Sequence, residues 1–334
     1  MKNFSWGSHR IAERVSFRCL TVFIAPVLAA IGLSSCSSVG RSDRIDRLQE
    51  TAGLIEDVKQ FGKTLGIVPT DALRTTAGRG PVLAMLWLWM QREGTLAIDA
   101  PLDIRLAIGY TAEKERMRIE QVYRVERYSV YYRQGNEFAD PRSVATIGFA
   151  EEPLVRRVKV ILHEDLHGDV NFALPWEIEE GIATALGSLA AVEYFRAKGD
   201  SGLMRSASAS FEEERQTSRE LNALAAEAAR IFADGKIIEA AKEKILAALP
   251  NFPVYEKHFN RQIEGQHAPT ALEAKLSHDL AYYRYFDAIA RLAEIAPDLR
   301  TLIADLKTIA ANATVAGAGA FLRVLENRYS AIHH

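Results

Sequence analysis

The chain has 334 residues, of which 48% are hydrophobic and 25% charged, with a formal net charge of −2. This composition is that of a folded globular protein, so it excludes a disordered or collagen-like chain and a membrane protein with many spans. The near-neutral charge provides no basic field for nucleic acid, and the two cysteines, Cys19 and Cys36, exclude a disulfide scaffold and a cysteine-rich zinc finger.

The N-terminal segment has the pattern of an export signal. Residues 1–18 carry four basic side chains against one acidic side chain, and an uncharged stretch of 15 residues, 19–33, follows. That stretch is shorter than the roughly 20 residues that a membrane-spanning helix needs. A basic region, a short apolar region and small residues after it are typical of a secretory signal peptide.

The residues at 33–36, Leu-Ser-Ser-Cys, resemble the bacterial lipoprotein box, in which a cysteine receives a diacylglyceryl group before cleavage in front of it. The resemblance implies that 1–35 is a signal peptide and that Cys36 becomes the lipid-anchored N-terminus. It also implies a place in the bacterial cell envelope, and Ser37 favours the outer membrane with the body facing the periplasm. The alternative is an uncleaved membrane anchor with an incidental cysteine, which also puts the body outside the cytoplasm.

After the signal, residues 36–46 are rich in Ser, Arg and Asp and are predicted to be a tether. Apolar residues recur at helical spacing from about 47, and Gly66 suits the end of that helix. The apolar run 81–90 is too short to cross a membrane and predicts a buried core element. Segments 122–132 and 143–149 are rich in β-branched and aromatic residues and predict strands.

From 153 onward the pattern is almost entirely helical, with prolines between the helices. The predicted helices are 153–167, 177–198, 211–233, 236–249, 270–295 and 298–311. The predicted fold class is therefore α+β and helix-dominated, with a mixed catalytic part over 47–200 and a helical part over 201–334 that completes the cleft.

Residues 163–167 read His-Glu-Asp-Leu-His, which is the pattern His-Glu-x-x-His. On a helix, His163 and His167 lie on one face, and two imidazoles at that spacing can bind one Zn²⁺ ion. Zinc lowers the pKa of a bound water molecule, and Glu164 stands where its carboxylate can take the proton as general base. The alternative is a surface helix that carries these residues by chance.

A catalytic zinc ion needs a third protein ligand, and the sequence offers Glu180, 13 residues after His167. Residues 180–184, Glu-Gly-Ile-Ala-Thr, resemble the second-helix signature of zinc peptidases whose third ligand is glutamate. Glu179 is the nearest competitor, and Glu177 is a further alternative. Asp165 and Glu179 are candidates for contact with a ligand or with substrate; Asp165 either points to solvent or orients a ligand imidazole.

Three segments together resemble the bacterial predicted aminopeptidases, a family of exported or lipid-anchored zinc-peptidase-like proteins. They are 146–154, Thr-Ile-Gly-Phe-Ala-Glu-Glu-Pro-Leu; 162–167, Leu-His-Glu-Asp-Leu-His; and 179–184, Glu-Glu-Gly-Ile-Ala-Thr. The resemblance implies a zincin-like core and a zinc-dependent, aminopeptidase-like metallopeptidase with a peptide substrate. It also implies that strand 143–149 lies beside the cleft and pairs with the substrate backbone, for which a plain sheet strand is the alternative.

Two other functions stay open. One is a zinc amidase that acts on cell-wall amide bonds, and the other is a non-catalytic envelope lipoprotein that uses the fold for binding.

An oxyanion that forms during zinc-dependent amide hydrolysis usually has a side-chain donor besides the metal. The candidates for that role are Tyr128, Tyr131, Tyr132, His278, Tyr282, Tyr283 and Arg284. Core packing is the alternative for the aromatic run 282–286, and His258 and His267 are predicted to be surface residues.

Overall fold

The computed structural model describes residues 39–76, 86–96, 105–111, 113–134, 143–169, 176–234, 237–312 and 318–331. The predicted signal 1–35 and the candidate lipidation site Cys36 lie outside this range. No helix within it has the length and apolar character that crossing a membrane requires.

The described residues form mostly helices with a few short strands, which confirms the helix-dominated α+β class with a small sheet. The strands are β1 (Thr75–Thr76), β2 (Leu86–Arg92), β3 (Arg105–Thr111), β4 (Tyr128–Gln134) and β5 (Val144–Ala145). The α-helices are α1 (Val39–Thr64), α2 (Glu113–Val125), α3 (Ile147–Glu151), α4 (Leu154–Asp169), α5 (Trp176–Ala197), α6 (Ser201–Asp234), α7 (Ile238–Ala248), α8 (Pro253–Gln262), α9 (Ala268–Tyr283), α10 (Phe286–Ile295), α11 (Leu299–Asn312) and α12 (Ala318–Ser330).

The larger sheet is antiparallel, with the strand order β3-β2-β4. Side chains of successive strand residues point to opposite faces. Trp89 and Tyr131 accordingly pack with α9 on one face, while Leu88, Met90 and Val130 form a small cluster with α2 on the other. The sheet is therefore enclosed between the two helices. The second sheet is a two-residue parallel pairing of β1 with β5.

Helix α5 occupies the centre of the helical core. Its side chains are buried on every side, including Ile182, Ala183, Ala185 and Leu186, and a helix that is apolar all round belongs in an interior. It packs against α4, α6, α9 and α10. The core around it contains side chains from both 47–200 and 201–334, so the two parts of the chain share one apolar interior.

The structure corrects two sequence predictions near the N-terminus. Helix α1 begins at Val39, so most of the predicted tether 36–46 is helical. Within the predicted strand 122–132, helix α2 continues to Val125 and β4 begins at Tyr128. The helix continues because Ile119 and Tyr123, four residues apart on one helix face, pack on the sheet.

The predicted strand 143–149 is also wrong. Only Val144–Ala145 is extended, and Ile147–Glu151 forms helix α3. The Thr146 hydroxyl accepts a hydrogen bond from the Phe149 backbone nitrogen at 3.1 Å, which caps the helix and ends the strand. This short segment pairs with β1, so it does not provide the long substrate-pairing strand that the family resemblance implied.

In the C-terminal half the predicted helices are present with different limits. The predicted helix 211–233 begins ten residues earlier, at Ser201, and 270–295 divides into α9 and α10 at Arg284 and Tyr285. Helices α8 and α12 were not predicted, because proline- and glycine-flanked segments give a weak periodic signal. His258 belongs to α8 and is largely buried, so its predicted surface position is wrong.

Helix α4 is joined to α1 by a buried ion pair. The Lys59 ammonium group lies 2.5 Å from Asp165 Oδ1, and both side chains are 1% exposed. The backbone nitrogen and the hydroxyl group of Thr70 each donate to the same oxygen at 2.8 Å. Gly168 lies inside α4, where a Cβ atom would overlap the Thr70 methyl group. This glycine therefore allows the Thr70 segment to pack closely on the helix.

Replacement of Asp165 by Asn is expected to lower the free energy of unfolding by about 3–5 kcal/mol, because it leaves the Lys59 charge buried without its counterion. Urea denaturation in the presence of a chelator measures this without a contribution from bound metal. The exposed pair Arg74–Asp71 is the control, and Asp71→Asn is expected to cost less than about 1 kcal/mol. Equal effects of the two substitutions would contradict the role given to the buried pair.

Candidate metal centre

Helices α4 and α5 bring together the three predicted ligands. The Nε2 atoms of His163 and His167 lie 3.1 Å apart. Oε2 of Glu180 lies 3.5 Å from the first nitrogen and 3.4 Å from the second. Four ligands placed tetrahedrally about 2.0–2.2 Å from a zinc ion are separated by about 3.4 Å. The three atoms therefore have the spacing of three corners of such a site, and they are the one cluster of this kind among the described residues.

The close approach of the two helices depends on Gly187, which lies seven residues, or two turns, after Glu180 on α5. A Cβ atom at this position would lie 3.1 Å from the His163 Cβ atom and 3.3 Å from its Cα and backbone nitrogen atoms. This glycine was not predicted from the sequence. Gly181 instead faces α9, where a Cβ atom would lie 3.4 Å from the Ala281 carbonyl oxygen.

Several features of the triad suit a cation. Two imidazole nitrogens that face each other at 3.1 Å can share a proton or a metal ion, but both cannot be donors to one another. Glu180 Oε2 is buried and has no hydrogen-bond partner among the described residues. An unsatisfied buried carboxylate oxygen is costly unless a cation satisfies it. His163 and His167 keep 13% and 11% of their side-chain surface exposed, so the site is reached from outside.

Charges around the triad also favour a cation. Burial lowers the pKa of His167, but the Glu180 carboxylate 3.4 Å away, the hydrogen bond to Glu179 and the charge of Glu164 together raise it well above its ordinary value. Burial raises the pKa of Glu180, but the neighbouring His167 and His163 imidazoles hold it far below its usual range. Three carboxylates thus surround two imidazoles, and a divalent ion neutralises this charge better than a proton does.

Glu179 contacts the site through His167. Its Oε1 atom lies 3.1 Å from His167 Nδ1, on the far side of the ring from the triad. A carboxylate at this nitrogen fixes the ring orientation and leaves Nε2 to bind a metal. The geometry therefore assigns adjacent glutamates different positions, with Glu180 at the triad and Glu179 behind a predicted ligand. Glu177 belongs to the part of α5 whose side chains are not described.

Of the remaining candidates, Glu164 is buried next to His163 and its charge acts on His167. Asp165 lies on the opposite side of α4, buried against Lys59, so the prediction that it points to solvent is wrong. Its hydrogen bonds join it to Lys59 and Thr70, so it does not orient a ligand imidazole. Several of the candidate oxyanion donors lie together, but in the apolar core that packs on the larger sheet and not with the three ligand atoms.

Most of those candidate donors lie in the second apolar core, behind the sheet. His278 is buried between Trp89, Tyr131 and Tyr282. Its Nδ1 atom is hydrogen-bonded to Asp279 Oδ1 at 2.9 Å. Burial is the main reason why the pKa of His278 falls to about 3. A neutral, enclosed histidine of this kind is a core residue. Tyr282 differs, because its hydroxyl group accepts a hydrogen bond from Arg133, a residue that the sequence analysis did not consider.

Comparison of the chain with protein-family models, with curated proteins and with solved structures gives no match. The resemblance to the predicted aminopeptidases therefore stays a prediction from three short segments.

Replacement of each adjacent glutamate by Gln is expected to separate the two positions. Glu180→Gln removes a ligand, and since a full zinc site contributes about 10–16 kcal/mol, we expect the zinc affinity to fall by several hundred-fold or more. Glu179→Gln keeps the ligands but weakens the support of His167, with an expected loss of about 10–100-fold. Competition with a calibrated zinc chelator measures both. The reverse order of the two effects would make Glu179 the ligand.

A second pair of substitutions tests the helix contact. Gly187→Ala is expected to destabilise the protein by up to about 2 kcal/mol, because the overpacking cost of about 1–3 kcal/mol is only partly offset by the helix-propensity gain of about 1 kcal/mol. Gly53→Ala, on α1 with no atom within 4 Å of the new Cβ, is expected to stabilise it by up to about 1 kcal/mol. Thermal or urea unfolding measures both variants, and a stabilised Gly187→Ala protein would contradict the proposed contact.

Proposed function

We propose that the protein is a zinc-dependent metallopeptidase in which His163, His167 and Glu180 hold the metal ion. The observation that carries the proposal is the triangle of two imidazole nitrogens and one carboxylate oxygen with edges of 3.1–3.5 Å. A set of two histidines and one glutamate leaves a fourth position for water or substrate, which is the arrangement of a catalytic zinc site. A zincin-like core around α4 and α5 is part of this proposal.

When bound, zinc supplies Lewis acidity, which polarises a substrate carbonyl group and lowers the pKa of a water molecule. Glu164 takes the proton from the attacking water and delivers it to the leaving amine, which is the general acid–base role of a buried carboxylate beside a metal site. Glu179 orients the His167 ring through the 3.1 Å contact at Nδ1. The burial of Glu164 keeps bulk water away from the proton that it transfers.

The three-residue site does not determine which end of a peptide is attacked. The aminopeptidase-like activity was an expectation from the family resemblance, and it needs a group that binds a substrate amine. Glu179 was the candidate for that group, but its Oε1 atom faces His167. We therefore propose a peptidase, with the cell-wall amidase as the alternative that a substrate screen separates from it.

We also propose that the protein is exported and anchored in the bacterial envelope by lipid on Cys36, with the body facing the periplasm. The support is the basic, apolar and small-residue order of 1–35 and the Leu-Ser-Ser-Cys segment at 33–36. A lipid anchor would leave the mature body without a free cysteine thiol, so its zinc would be bound by histidine and carboxylate.

Glu164→Gln tests the enzyme proposal in the full-length protein purified in detergent. We expect about one zinc ion per chain in wild type and variant, and turnover of a mixed peptide library that falls by about 10²–10⁴-fold in the variant, because only the base is lost. Metal analysis and mass spectrometry of the products are the measurements. Glu151→Gln, an exposed carboxylate on α3, is the control and is expected to match wild type.

A correctly folded wild type that carries no zinc would end the metallopeptidase proposal. Zinc with cleavage of cell-wall fragments but not of peptides would favour the amidase. Zinc without turnover of either substrate class would favour the non-catalytic lipoprotein.

A further inference from the structure

Arg133 is a half-buried cation on β4, at the edge of the larger sheet. It follows Tyr131 by two residues and so projects from the same face of the strand, toward α9. Its Nη2 atom donates to the Tyr282 hydroxyl oxygen at 3.0 Å, and its guanidinium carbon lies 5.2 Å from the centre of the Tyr282 ring. The hydrogen bond and the ring contact together fix the direction of the guanidinium group.

This arginine has no counterion within ion-pair distance among the described residues. Burial lowers the pKa of Arg133, but Tyr282 and Tyr131 and, after them, the Glu180 and Asp279 carboxylates raise it. Both carboxylates already have other neighbours. Glu180 faces the two imidazoles, and Asp279 accepts from Tyr255 at 2.8 Å and pairs with Lys275. Every other buried cation of this region with a side chain that the structure describes, such as Lys275 and Lys242, has a carboxylate partner.

The Arg133–Tyr282 pair adjoins the turn of α5 that carries the predicted metal ligand. Gly181, the residue after Glu180, lies against the Tyr282 backbone, where a Cβ atom would be 3.7 Å from the carbonyl oxygen. The charge of Arg133 is felt at Glu180. Each residue of an extended peptide spans about 3.5 Å. When the cleaved bond of a substrate lies at the metal centre, the groups that can meet a neighbouring side chain are therefore those one or two residues from that bond.

We propose that Arg133 binds a carboxylate group of the peptide substrate, so that this chain acts on peptides that present a negative charge near the cleaved bond. The inference rests on the proposed function and names its substrate class. A half-buried guanidinium group that finds no counterion among the described residues is costly, and a carboxylate that arrives with the substrate forms two parallel charge-assisted hydrogen bonds with it. The carboxylate is either a free C-terminus or an acidic side chain, and Tyr282 is the residue that positions Arg133 for either.

Three probes distinguish the two sources in the full-length zinc-loaded protein. They are N-acetyl-trialanine, its C-terminal amide, and an N-acetylated tripeptide amide with glutamate in the central position. Wild type is expected to cleave a carboxylate-bearing probe with a kcat/KM about 10–100-fold above that of the neutral amide, chiefly through KM. A preference for the first probe identifies the C-terminus, and a preference for the third identifies a side chain. Equal rates on all three, or a requirement for a free N-terminal amine, would overturn the proposal.

Arg133→Gln is expected to abolish this preference by lowering the kcat/KM of the carboxylate-bearing probe, while Arg133→Lys restores part of it. Arg124→Gln, which removes an exposed arginine paired with Glu120 on α2, is the matched control and keeps the preference. Zinc content and circular dichroism establish that each variant is folded. If Arg133→Gln does not fold, the proposal is tested by the ratio of kcat/KM values that wild type shows between the carboxylate-bearing and neutral probes, and by the change in that ratio in Arg133→Lys.

Calorimetric binding of all three probes to zinc-loaded Glu164→Gln separates the two proposals. Tighter binding of a carboxylate-bearing probe than of the neutral amide, without turnover in wild type, would leave the inference standing and refute the peptidase. Turnover in wild type with equal binding of all three probes would leave the peptidase standing and refute the inference.

Discussion

The contact between α4 and α5 at His163 and Gly187 is the constraint on which the candidate site depends. A side chain at Gly187 would separate the two helix backbones and move Glu180 away from the imidazoles. The triangle of ligand atoms has edges of 3.1–3.5 Å. It forms because α4 carries two predicted ligands one turn apart and α5, which has no side chain at Gly187, packs closely against it.

The opposite side of α4 also packs closely, against α1 and the segment that contains Thr70. Lys59 and Thr70 supply three donors to a single oxygen of Asp165, and Gly168 lets the Thr70 segment lie directly on the helix. Helix α4 is therefore clamped between α1 and the central helix α5. A metal site gains from such a clamp because its ligands need not be ordered when the ion binds. The acidic residue inside the His-Glu-x-x-His segment thus supports the site from behind it.

The charges in and around the site have a polarity that matches the proposed chemistry. Glu164, Glu179 and Glu180 make the triad attractive to a cation, while Arg133 provides positive charge on the side toward the sheet. A peptide with a carboxylate near the cleaved bond would match both charges, with its carbonyl group at the metal ion and its carboxylate at the Arg133 guanidinium group. The larger sheet, which makes little contact with α4, gains a role as the element that carries the substrate-binding cation.

The sequence alone determined the residues that carry chemistry and the elements that carry them. The spacing of His163 and His167 follows from the 3.6-residue helical period, which is a local property and so can be read from sequence. Only the tertiary structure placed Glu180, and not Glu179, against both imidazoles, turned Asp165 inward to a buried partner, and brought Arg133 within electrostatic range of Glu180. Each of these depends on how helices and strands far apart in the chain rotate and pack, and local periodicity does not contain that information.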